Sequence, residues 1–342
     1  MMEHLETFPN TTLCYLERDG RYLMLLRCKK KNDINAGKWI GVGGKFEQGE
    51  TAAQCALREI REETGLTVRD LTLRGVVTFH ADGFSEVMHL FTATQWDGAL
   101  TECDEGELRW VDKEEVFNLP LWDGDRVFLE MLVSGAPYFD MTLRYRGDRL
   151  VQCVVDGKER ELFDILTPDG APTGMVAERG YAHRHGLWHA TAHIWMARPA
   201  PDGDDDEILL QLRSTQKKLY PGLYDVSSAG HIGAGENIRE GACREVEEEL
   251  GLSVAPEALR EVGVVPSVKD FTTREGEPYH DREYCHVFVC RMPVADGEIV
   301  CQPTEVDGVK WMRFGELEQA VGENAFPHCI DARELAMIAP LL

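Results

Sequence analysis

Short apolar runs separated by polar loops dominate the hydrophobic pattern, and they predict strands more often than helices. Such runs occur at 22–27, 72–78 and 85–93, and again at 208–213, 259–265 and 283–291. In each half a further strand with a tryptophan, at 108–111 and at 309–314, precedes a short helical stretch. Because strands are mixed with a few helices, the pattern predicts an α+β fold made of layered sandwich domains.

The strongest internal signal is a duplication. Residues 44–66 have the sequence GKFEQGETAAQCALREIREETGL, and residues 230–252 have the sequence GHIGAGENIREGACREVEEELGL. Aligned without gaps, both contain Gly, then Glu six residues later, and then the pairs Arg-Glu, Glu-Glu and Gly-Leu. A repeat with so long a separation does not fit a solenoid and fits a duplicated domain. A length of 342 residues also suits two domains.

The boundary between these domains is expected near residue 155, which gives domains at 1–155 and 156–342. Apolar and turn residues over 138–154 predict a hairpin that closes the first domain. The polar stretch at 156–161 follows this hairpin and is the expected joint.

A helix is predicted inside each copy of the repeat. In the first copy Thr51 and Gln54 form a capping-box pattern, and Gly65 suits the position just beyond the helix end. In the second copy Asn237 is a good N-cap. The apolar stripe of the first helix, which is expected to face the core, consists of Ala53, Ala56, Leu57 and Ile60.

Three carboxylates beside that stripe, Glu59, Glu62 and Glu63, are the candidate metal ligands. They lie within an arc of roughly 100° and therefore repel one another, and the helix dipole disfavours them near the C-terminal end. A bound cation relieves this conflict. Ligands that are all oxygen suit Mg²⁺ or Mn²⁺ and do not suit zinc.

The neighbours of these carboxylates also repeat. Arg58 and Glu50 are expected to form an ion pair that ties the preceding loop to the helix, and Gly44 permits a backbone carbonyl to approach the same cation. An exposed acidic helix is the alternative for one such run, but the match of both copies argues against chance. The corresponding residues of the second copy are Arg244, Glu236 and Gly230, with the carboxylates Glu245, Glu248 and Glu249.

The net charge of −24 restricts the partners. A surface this acidic repels nucleic acid and anionic membranes, and it repels a phosphate ester unless a divalent cation bridges protein and substrate. We therefore expect a small nucleotide or diphosphate substrate, and no nucleic acid or membrane partner. The absence of a long apolar run or a secretory signal, with ten cysteines that occur singly, predicts a cytoplasmic protein with reduced thiols. The oligomeric state stays open.

The predicted metal sites imply a chemistry. Mg²⁺ or Mn²⁺ ions neutralise a diphosphate, lower the pKa of a bound water and stabilise charge during displacement at phosphorus. A free carboxylate accepts the proton from that water. The candidate catalytic residues are Glu59, Glu62 and Arg58 in the first copy and Glu245, Glu248 and Arg244 in the second.

These residues make up the Nudix box, Gx5Ex7REUxEExGU with U aliphatic, and both copies match it in full. The chain thus resembles the Nudix family over nearly its whole length, as two domains in tandem. The resemblance implies an α/β/α sandwich for each domain. It also implies hydrolysis of a nucleoside diphosphate that is linked to another moiety.

The first domain resembles the MutT-like branch of this family through residues 37–50 and 120–132. Members of that branch cleave nucleoside triphosphates, oxidised purine ones included, to monophosphate and pyrophosphate. The resemblance implies that Trp122 stacks on the base, that Asp125 bonds to the edge of the base, and that Lys45 contacts the substrate.

Two further positions bear on this resemblance. Glu105 resembles an extra glutamate that some members place near the metals, and the alternative is a solvated acid in a turn. Ile40 stands where the animal enzymes carry a base-reading asparagine, so a preference for 8-oxo-dGTP is implied by the resemblance in spite of this departure. For Trp122 the alternative is core packing at a loop–helix junction.

The second domain resembles the Nudix branch related to isopentenyl diphosphate isomerase, through residues 161–174, 183–195 and 220–236. His183 lies one residue out of register with the corresponding isomerase histidine. The further metal ligands that the resemblance implies are His189, His231, Asp281 and Glu283.

A substitution in this second domain changes the expected reaction. Ala229 stands where the isomerase has its catalytic cysteine, so the second proton-transfer group is missing. We therefore expect hydrolysis of a different nucleoside-diphosphate-linked or organic diphosphate substrate. Two alternatives stay open, namely an isopentenyl diphosphate isomerase and a non-catalytic module that binds a nucleotide.

Overall fold

The computed structural model describes residues 8–30, 33–203, 205–273 and 276–342. The chain forms two compact units, Met1–Leu162 with Val176–Tyr181, and Phe163–Met175 with Ala182–Leu342. Each unit contains one copy of the repeated motif. The first unit continues beyond residue 155 because the polar stretch that was expected to be the joint contributes a strand, Lys158–Arg160, to its sheet.

The first unit is built mainly from strands. They are β1 (Asn10–Arg18), β2 (Arg21–Arg27), β3 (Trp39–Ile40), β4 (Thr67–Val68), β5 (Thr72–Ala81), β6 (Phe84–Ala93), β7 (Trp96–Asp97), β8 (Gly106–Asp112), β9 (Phe139–Arg146), β10 (Arg149–Val155) and β11 (Lys158–Arg160). The helices are α1 (Ala52–Thr64) and α2 (Asp123–Val133). The boundary between the units falls within β12 (Leu162–Leu166), β13 (Pro172–Glu178) and α3 (Arg179–Arg184).

One mixed sheet forms the centre of the first unit. Its order is β11-β10-β9-β5-β6-β1-β2-β3, and β8 also pairs with β2. β1 runs parallel to β6, with Thr12 opposite His89, and β5 runs parallel to β9, with Val77 opposite Met141. The predicted hairpin that closes this domain is confirmed as β9 and β10, which are antiparallel.

Helices cover both faces of this sheet. On one face, Cys14 of β1 shares a core cluster with Ala56 and Ile60 of α1. On the other face, the ring centroid of Tyr15 lies 6.3 Å from that of Phe128 in α2. Because successive residues of a strand point to opposite faces, α1 and α2 lie on opposite sides of the sheet. This arrangement confirms the α/β/α sandwich.

The second unit repeats the plan. Its strands are β14 (His189–Pro199), β15 (Asp206–Arg213), β16 (Tyr224–Asp225), β17 (Ser228–His231), β18 (Leu259–Thr272), β19 (Pro278–Arg291) and β20 (Val306–Arg313). Its helices are α4 (Ile238–Leu250), α5 (Phe314–Gly322) and α6 (Ala332–Ile338). The sheet has the order β16-β15-β14-β19-β18, with β17 paired to β14 and β20 paired to β15.

The core of the second unit also has two layers. Ile194 of β14 packs in a cluster with Val246 of α4, whereas its neighbour Trp195 packs in another cluster with Leu317 of α5 and Leu335 of α6. The two clusters therefore lie on opposite faces of the sheet. Since β14, β15 and β19 pair as β1, β2 and β6 do, the two units have the same fold, as the duplication predicts.

The predicted apolar stripe of α1 is partly wrong. Ala53 and Leu57 are exposed, and Leu57 retains 40% of its surface. The helix instead buries Cys55 together with Ala56 and Ile60. The buried face also includes the carboxylate Glu63. The buried face of α1 is therefore rotated about the helix axis from the predicted stripe towards the carboxylates, which leaves Leu57 on the exposed side.

Two observations concern the whole chain. All ten cysteines are free thiols. Among the helices in the described ranges, none combines the length and the apolar character that crossing a bilayer requires.

Candidate functional site

The motif helices present their carboxylates at defined positions because both ends are capped. At the start of α1, Thr51 and Gln54 form the predicted capping box, and at its end Gly65 has a left-handed φ of 75°. At the start of α4 the side chain of Asn237 accepts two backbone hydrogen bonds, and Gly251 ends the helix with a φ of 66°. The predicted helix boundaries are therefore confirmed in both copies.

Arg58 organises the first site. Its Nε and Nη2 donate to the two carboxylate oxygens of Glu50 at 2.8 and 2.9 Å, which is the predicted ion pair. Its Nη1 also donates to Glu59 at 2.7 Å and to Glu62 at 3.1 Å. A further bond of 3.0 Å from Nη2 to the backbone oxygen of Lys45 ties the loop to the helix. One guanidinium therefore fixes three carboxylates and a loop.

Arg244 does the same in the second site. It donates to Glu236 at 2.8 and 2.9 Å, to Glu245 at 2.7 Å and to Glu248 at 3.0 Å. Its Nη2 lies 3.0 Å from the backbone oxygen of His231, which matches the bond to Lys45 in the first copy. The two sites thus have nearly the same internal geometry.

The last carboxylate of the first helix is buried. One oxygen of Glu63 accepts the backbone N–H of Gly43 at 2.8 Å, and the other lies 3.8 Å from Arg27 Nη1 and receives no hydrogen bond within the described part of the chain. Burial raises the pKa of Glu63 to about 8, and burial also raises the pKa of Glu59. Carboxylates in such a position ionise when a cation is near.

Glycine is required where the loop meets each helix. A Cβ at Gly44 would lie 2.4 Å from Glu59 Oε1, and a Cβ at Gly230 would lie 2.0 Å from the carboxyl carbon of Glu245. Any other residue would therefore displace a carboxylate. In both copies a glutamate carboxylate therefore packs directly against the backbone of the loop.

The buried carboxylate of the second site has more partners. Glu249 accepts hydrogen bonds from the Ser228 hydroxyl at 2.8 Å and from the backbone N–H of Ala229 at 3.0 Å, and Lys217 Nζ lies 3.6 Å from its other oxygen. Burial raises the pKa of Glu249, and burial raises that of Glu245 to about 7.

These residues fit a divalent cation. The potential ligand atoms on each motif helix are oxygens, which suits Mg²⁺ and Mn²⁺. One oxygen of the buried Glu63 lacks a hydrogen bond in the described part of the chain, and the Glu59 carboxylate lies against the backbone of Gly44, so both carboxylates offer ligand oxygens on this side of the helix. The nearby arginines do not complete the neutralisation, because the pKa of Glu59 and that of Glu63 remain raised.

Glu105 lies close to this site. It forms ion pairs with Arg27 and, at 3.1 Å, with Lys30. It is therefore paired with two cations, while 32% of its side chain stays exposed. Because Arg27 also faces Glu63, Glu105 belongs to the same group of charges.

Sequence comparison of the two halves missed a counterpart of Glu105. β8 begins at Gly106 opposite the end of β2, and β20 begins at Val306 opposite the end of β15. The residues just before them are Glu105 and Glu305, so strand register makes these equivalent. Glu305 pairs with Lys217 at 2.5 Å. The segment before the tryptophan strand is longer in the second half, so only the strand register reveals the match.

The candidate base-binding residues of the first domain lie together. Trp122 is 6% exposed, its indole N–H donates to Asn35 at 2.8 Å, and Lys38 Nζ lies 5.0 Å from the ring centroid. Asp125 is also buried, and burial raises its pKa to about 7. Trp122 is therefore packed into the domain with little of its ring exposed, which agrees with the core-packing alternative.

The structure brings the predicted histidines and acids of the second domain together. One nitrogen from each of His183, His189 and His231 lies within 4.8 Å of the others, and so do ligand atoms of His189, Asp281 and Glu283. His183 Nε2 is 3.6 Å from Asp281, and His231 Nε2 is 3.9 Å from Glu283. This mixed set of nitrogen and oxygen donors can hold a divalent transition metal.

His183 joins this cluster even though the sequence placed it one residue out of register. It lies on α3, and its ring stacks on Tyr279 with centroids 4.3 Å apart. The ring of Phe163 stacks on His189 at 4.6 Å and on His231 at 4.7 Å. The position of His183 on α3 and its stacking on Tyr279 direct its imidazole into the cluster. The one-residue shift in the sequence alignment therefore does not keep it away from the other ligands.

Other polar residues near this cluster gave no signal in the sequence. Lys269 on β18 lies opposite Asp281, and although burial alone would lower its pKa, Glu283 and other neighbouring acids raise it. His193 Nδ1 donates to a carboxylate oxygen of Glu334 at 2.7 Å, and the other oxygen of Glu334 accepts the indole N–H of Trp195 at 2.9 Å. Residues so far apart in the chain meet only in the folded state.

The chain is similar to several known proteins. A model of the NUDIX domain matches residues 7–132 and 197–331. Nudix hydrolase 3 of Arabidopsis thaliana is 35% identical over 158 residues, which are 46% of this chain and 20% of that protein. The chain therefore spans about a fifth of that relative.

Two further similarities concern shorter proteins. The oxidized purine nucleoside triphosphate hydrolase of Danio rerio is 36% identical over 156 residues, which are 45% of this chain and 96% of that protein. A MutT protein from Bacillus halodurans with a crystal structure is 28% identical, with a TM-score of 0.40, over 44% of this chain and 98% of that one.

Proposed function

The chain belongs to the Nudix family, and we propose that it is a Nudix diphosphohydrolase whose two domains hydrolyse diphosphate linkages in two different small-molecule substrates. The observation that carries this proposal is the pair of motif helices, in which one arginine holds three glutamates at matching distances. Nudix hydrolases generally use divalent metal ions, and we propose Mg²⁺ or Mn²⁺ here. We also propose a cytoplasmic location.

Each motif helix would hold the ion with its own residues. The proposed ligands are the Gly44 carbonyl with Glu59, Glu62 and Glu63 in the first domain, and the Gly230 carbonyl with Glu245, Glu248 and Glu249 in the second. When bound, Mg²⁺ neutralises the diphosphate and lowers the pKa of a coordinated water.

The remaining work is done by the side chains around the ion. Arg58 and Arg244 keep the carboxylates oriented, so that little rearrangement is needed when the substrate binds. A carboxylate of each set accepts the proton of the attacking water. We propose the same task for Glu105 in the first domain and Glu305 in the second, since each shares a cation with the buried glutamate of its set.

For the first domain we propose cleavage of purine nucleoside triphosphates, oxidised ones included, to monophosphate and pyrophosphate. The name of the Danio rerio relative supports this substrate class. Trp122 and Asp125 would line the base pocket, with Asp125 bonding to the base edge, and Lys45 would contact the substrate. The replacement of a polar residue by Ile40 leaves the selection of an 8-oxoguanine base to the other residues of that pocket.

For the second domain we propose hydrolysis of another nucleoside-diphosphate-linked or organic diphosphate. The residues His183, His189, His231, Asp281 and Glu283 would hold a second divalent ion there. Because these five residues lie together as the resemblance to the isomerase implies, a second candidate function stays open, namely isopentenyl diphosphate isomerisation. Ala229 opposes it, because its methyl group cannot transfer a proton.

The test uses full-length variants, each with one site disabled. Glu62→Gln with Glu63→Gln should abolish hydrolysis of nucleoside triphosphates and leave cleavage by the second site, which is sought with nucleotide sugars, coenzymes and isoprenoid diphosphates. Glu248→Gln with Glu249→Gln should do the reverse. Glu247→Gln is the control for a neutralised glutamate on α4, because it removes one carboxylate charge from an exposed position beside the set.

Three outcomes would contradict the proposal. Full activity in EDTA would exclude the metal role, and loss of both activities in one folded double variant would exclude independent sites. Formation of dimethylallyl diphosphate from isopentenyl diphosphate, lost on Glu283→Gln, would show that the second domain is an isomerase.

A further inference from the structure

Glu86 is an acidic side chain on the face of the first sheet that α2 covers. On β6 it lies opposite Phe79 of β5, and two residues later Met88 lies opposite Thr11 of β1. Directly opposed residues point to the same face, and residues two apart on a strand share that face. Glu86 therefore stands beside Phe79 and diagonally across from Thr11.

The surroundings of Glu86 are largely aromatic. The ring of Phe79 lies 5.0 Å from that of Tyr145, 6.3 Å from that of Trp122 and 6.5 Å from that of Phe84. The rings are tilted or edge-on to one another, with interplanar angles of 32° to 68°, and together they form an aromatic lining that suits a purine ring. A carboxyl beside it is costly for folding unless a partner compensates it.

The charge of Glu86 acts on Asp125 within this region. Burial raises the pKa of Asp125 to about 7, and the charge of Glu86 adds to that effect. Burial likewise raises the pKa of Glu86, although Thr11 and Lys45 oppose the shift. Two acids that repel each other next to an apolar wall are relieved by a ligand that brings N–H donors to both.

We propose that Glu86 reads the base together with Asp125, and that this pair selects purines whose edge carries an exocyclic amino group next to a ring N–H. An ionised carboxylate only accepts hydrogen bonds, so it favours donors and rejects a base edge that presents acceptors. Ile40, which the resemblance to the MutT-like branch assigns to the base pocket, has no polar side-chain atom and offers no competing hydrogen bond. This inference rests on the nucleoside triphosphate activity proposed for the first domain.

A purely structural role for Glu86 predicts something else. If Glu86 only paired with Thr11 and Lys45, its replacement would change the stability of the first domain, or the rate with all bases equally. A base-reading role changes the ratio between bases. The quantity to measure is therefore the ratio of kcat/KM values between substrates with different bases.

The experiment uses the full-length chain with Glu248→Gln and Glu249→Gln, which disable the second site. The kcat/KM is measured for GTP, for ITP, which lacks the 2-amino group, and for UTP, with thermal unfolding of each variant as the test of folding. Glu86→Leu removes both acceptor oxygens and Glu86→Gln keeps one in nearly the same volume. Glu114→Gln is the matched control, since it removes one charge from an exposed loop position of the same domain.

We expect the preference for GTP over ITP to fall about 10-fold or more in Glu86→Leu and about 5-fold in Glu86→Gln, and to stay unchanged in Glu114→Gln. A preference that survives Glu86→Leu, or an equal loss of rate on all three substrates, would overturn the inference while the proposed function stands. Failure of the parent protein to cleave any of the three triphosphates would instead overturn the proposed function, and the inference with it.

Discussion

Gly44→Ala is expected to separate activity from stability in the first domain. The added Cβ would lie 2.4 Å from Glu59 Oε1 and 2.5 Å from its carboxyl carbon. Ordinary contact needs roughly 3.4 Å or more, so the carboxylate must move by about 1 Å. The φ of Gly44 lies outside the left-handed region, so alanine adds no backbone strain.

The expected loss of stability is small and the expected loss of activity is large, because only the end of the flexible Glu59 side chain must move. We expect the free energy of unfolding to fall by less than about 1 kcal/mol, which is below the cost of overpacking a rigid core. Moving a carboxylate that holds the reacting groups by this distance is expected to lower kcat/KM for a nucleoside triphosphate by about 100-fold.

The assay combines steady-state hydrolysis with thermal unfolding of the full-length chain. Gly230→Ala is the reciprocal variant, because its Cβ would lie 2.0 Å from the carboxyl carbon of Glu245, and it should silence only the second activity. Gly322→Ala is the control, since no atom lies within 4 Å of its Cβ position. A Gly44→Ala protein that stays within a few-fold of the parent would refute the reasoning, and so would one that fails to fold.

Three further substitutions probe buried polar groups, with the free energy of unfolding measured by denaturant titration. Burial raises the pKa of Asp125 from 3.8 to about 7, so its contribution to stability is present below about pH 4 and is lost as the pH rises towards 7. Asp125→Asn, which resembles the neutral form, should flatten that decline, and an unchanged slope would contradict this. Tyr145→Phe leaves the backbone N–H of Gly124 without its acceptor at 2.7 Å and should cost about 1–3 kcal/mol; a change below about 0.5 kcal/mol would count against it. Glu334→Gln removes the charge from the acceptor of His193 and should destabilise the second unit by a similar 1–3 kcal/mol, roughly, so an unchanged transition would argue against a structural role.

The parts of the structure that the sequence predicts well are those that local interactions determine. The capping box at Thr51, the left-handed Gly65 and the Arg58–Glu50 pair each lie within one short segment, and all are present. The duplicated plan of strands follows from the same periodicity in both halves. In contrast, the buried face of α1 could not be located from apolar residues alone, because Glu63 and Cys55 are buried while Leu57 is exposed.

Contacts between distant segments account for the rest. Glu305 corresponds to Glu105 only through strand register, and Glu334 reaches His193 across 141 positions of the chain. His183 enters the cluster of the second unit because α3 directs its imidazole there, which an alignment by position cannot show. Nothing in the local sequence distinguishes these residues from other polar residues, because tertiary packing determines which partner each one has.

The comparison of the two units indicates where their functions diverge. The arginine at the centre of each motif makes the same bonds within about 0.1 Å, so the reacting part of the site has been held constant. On the opposite face of the sheet, the polar residues of the two units differ. Phe79 and Glu86 occupy it in the first unit, and Lys269 with a histidine cluster occupies it in the second. Since specificity lies in the site and not in the fold, changes on this face should alter which diphosphate is cleaved, whereas changes on the motif helix should abolish cleavage of any substrate.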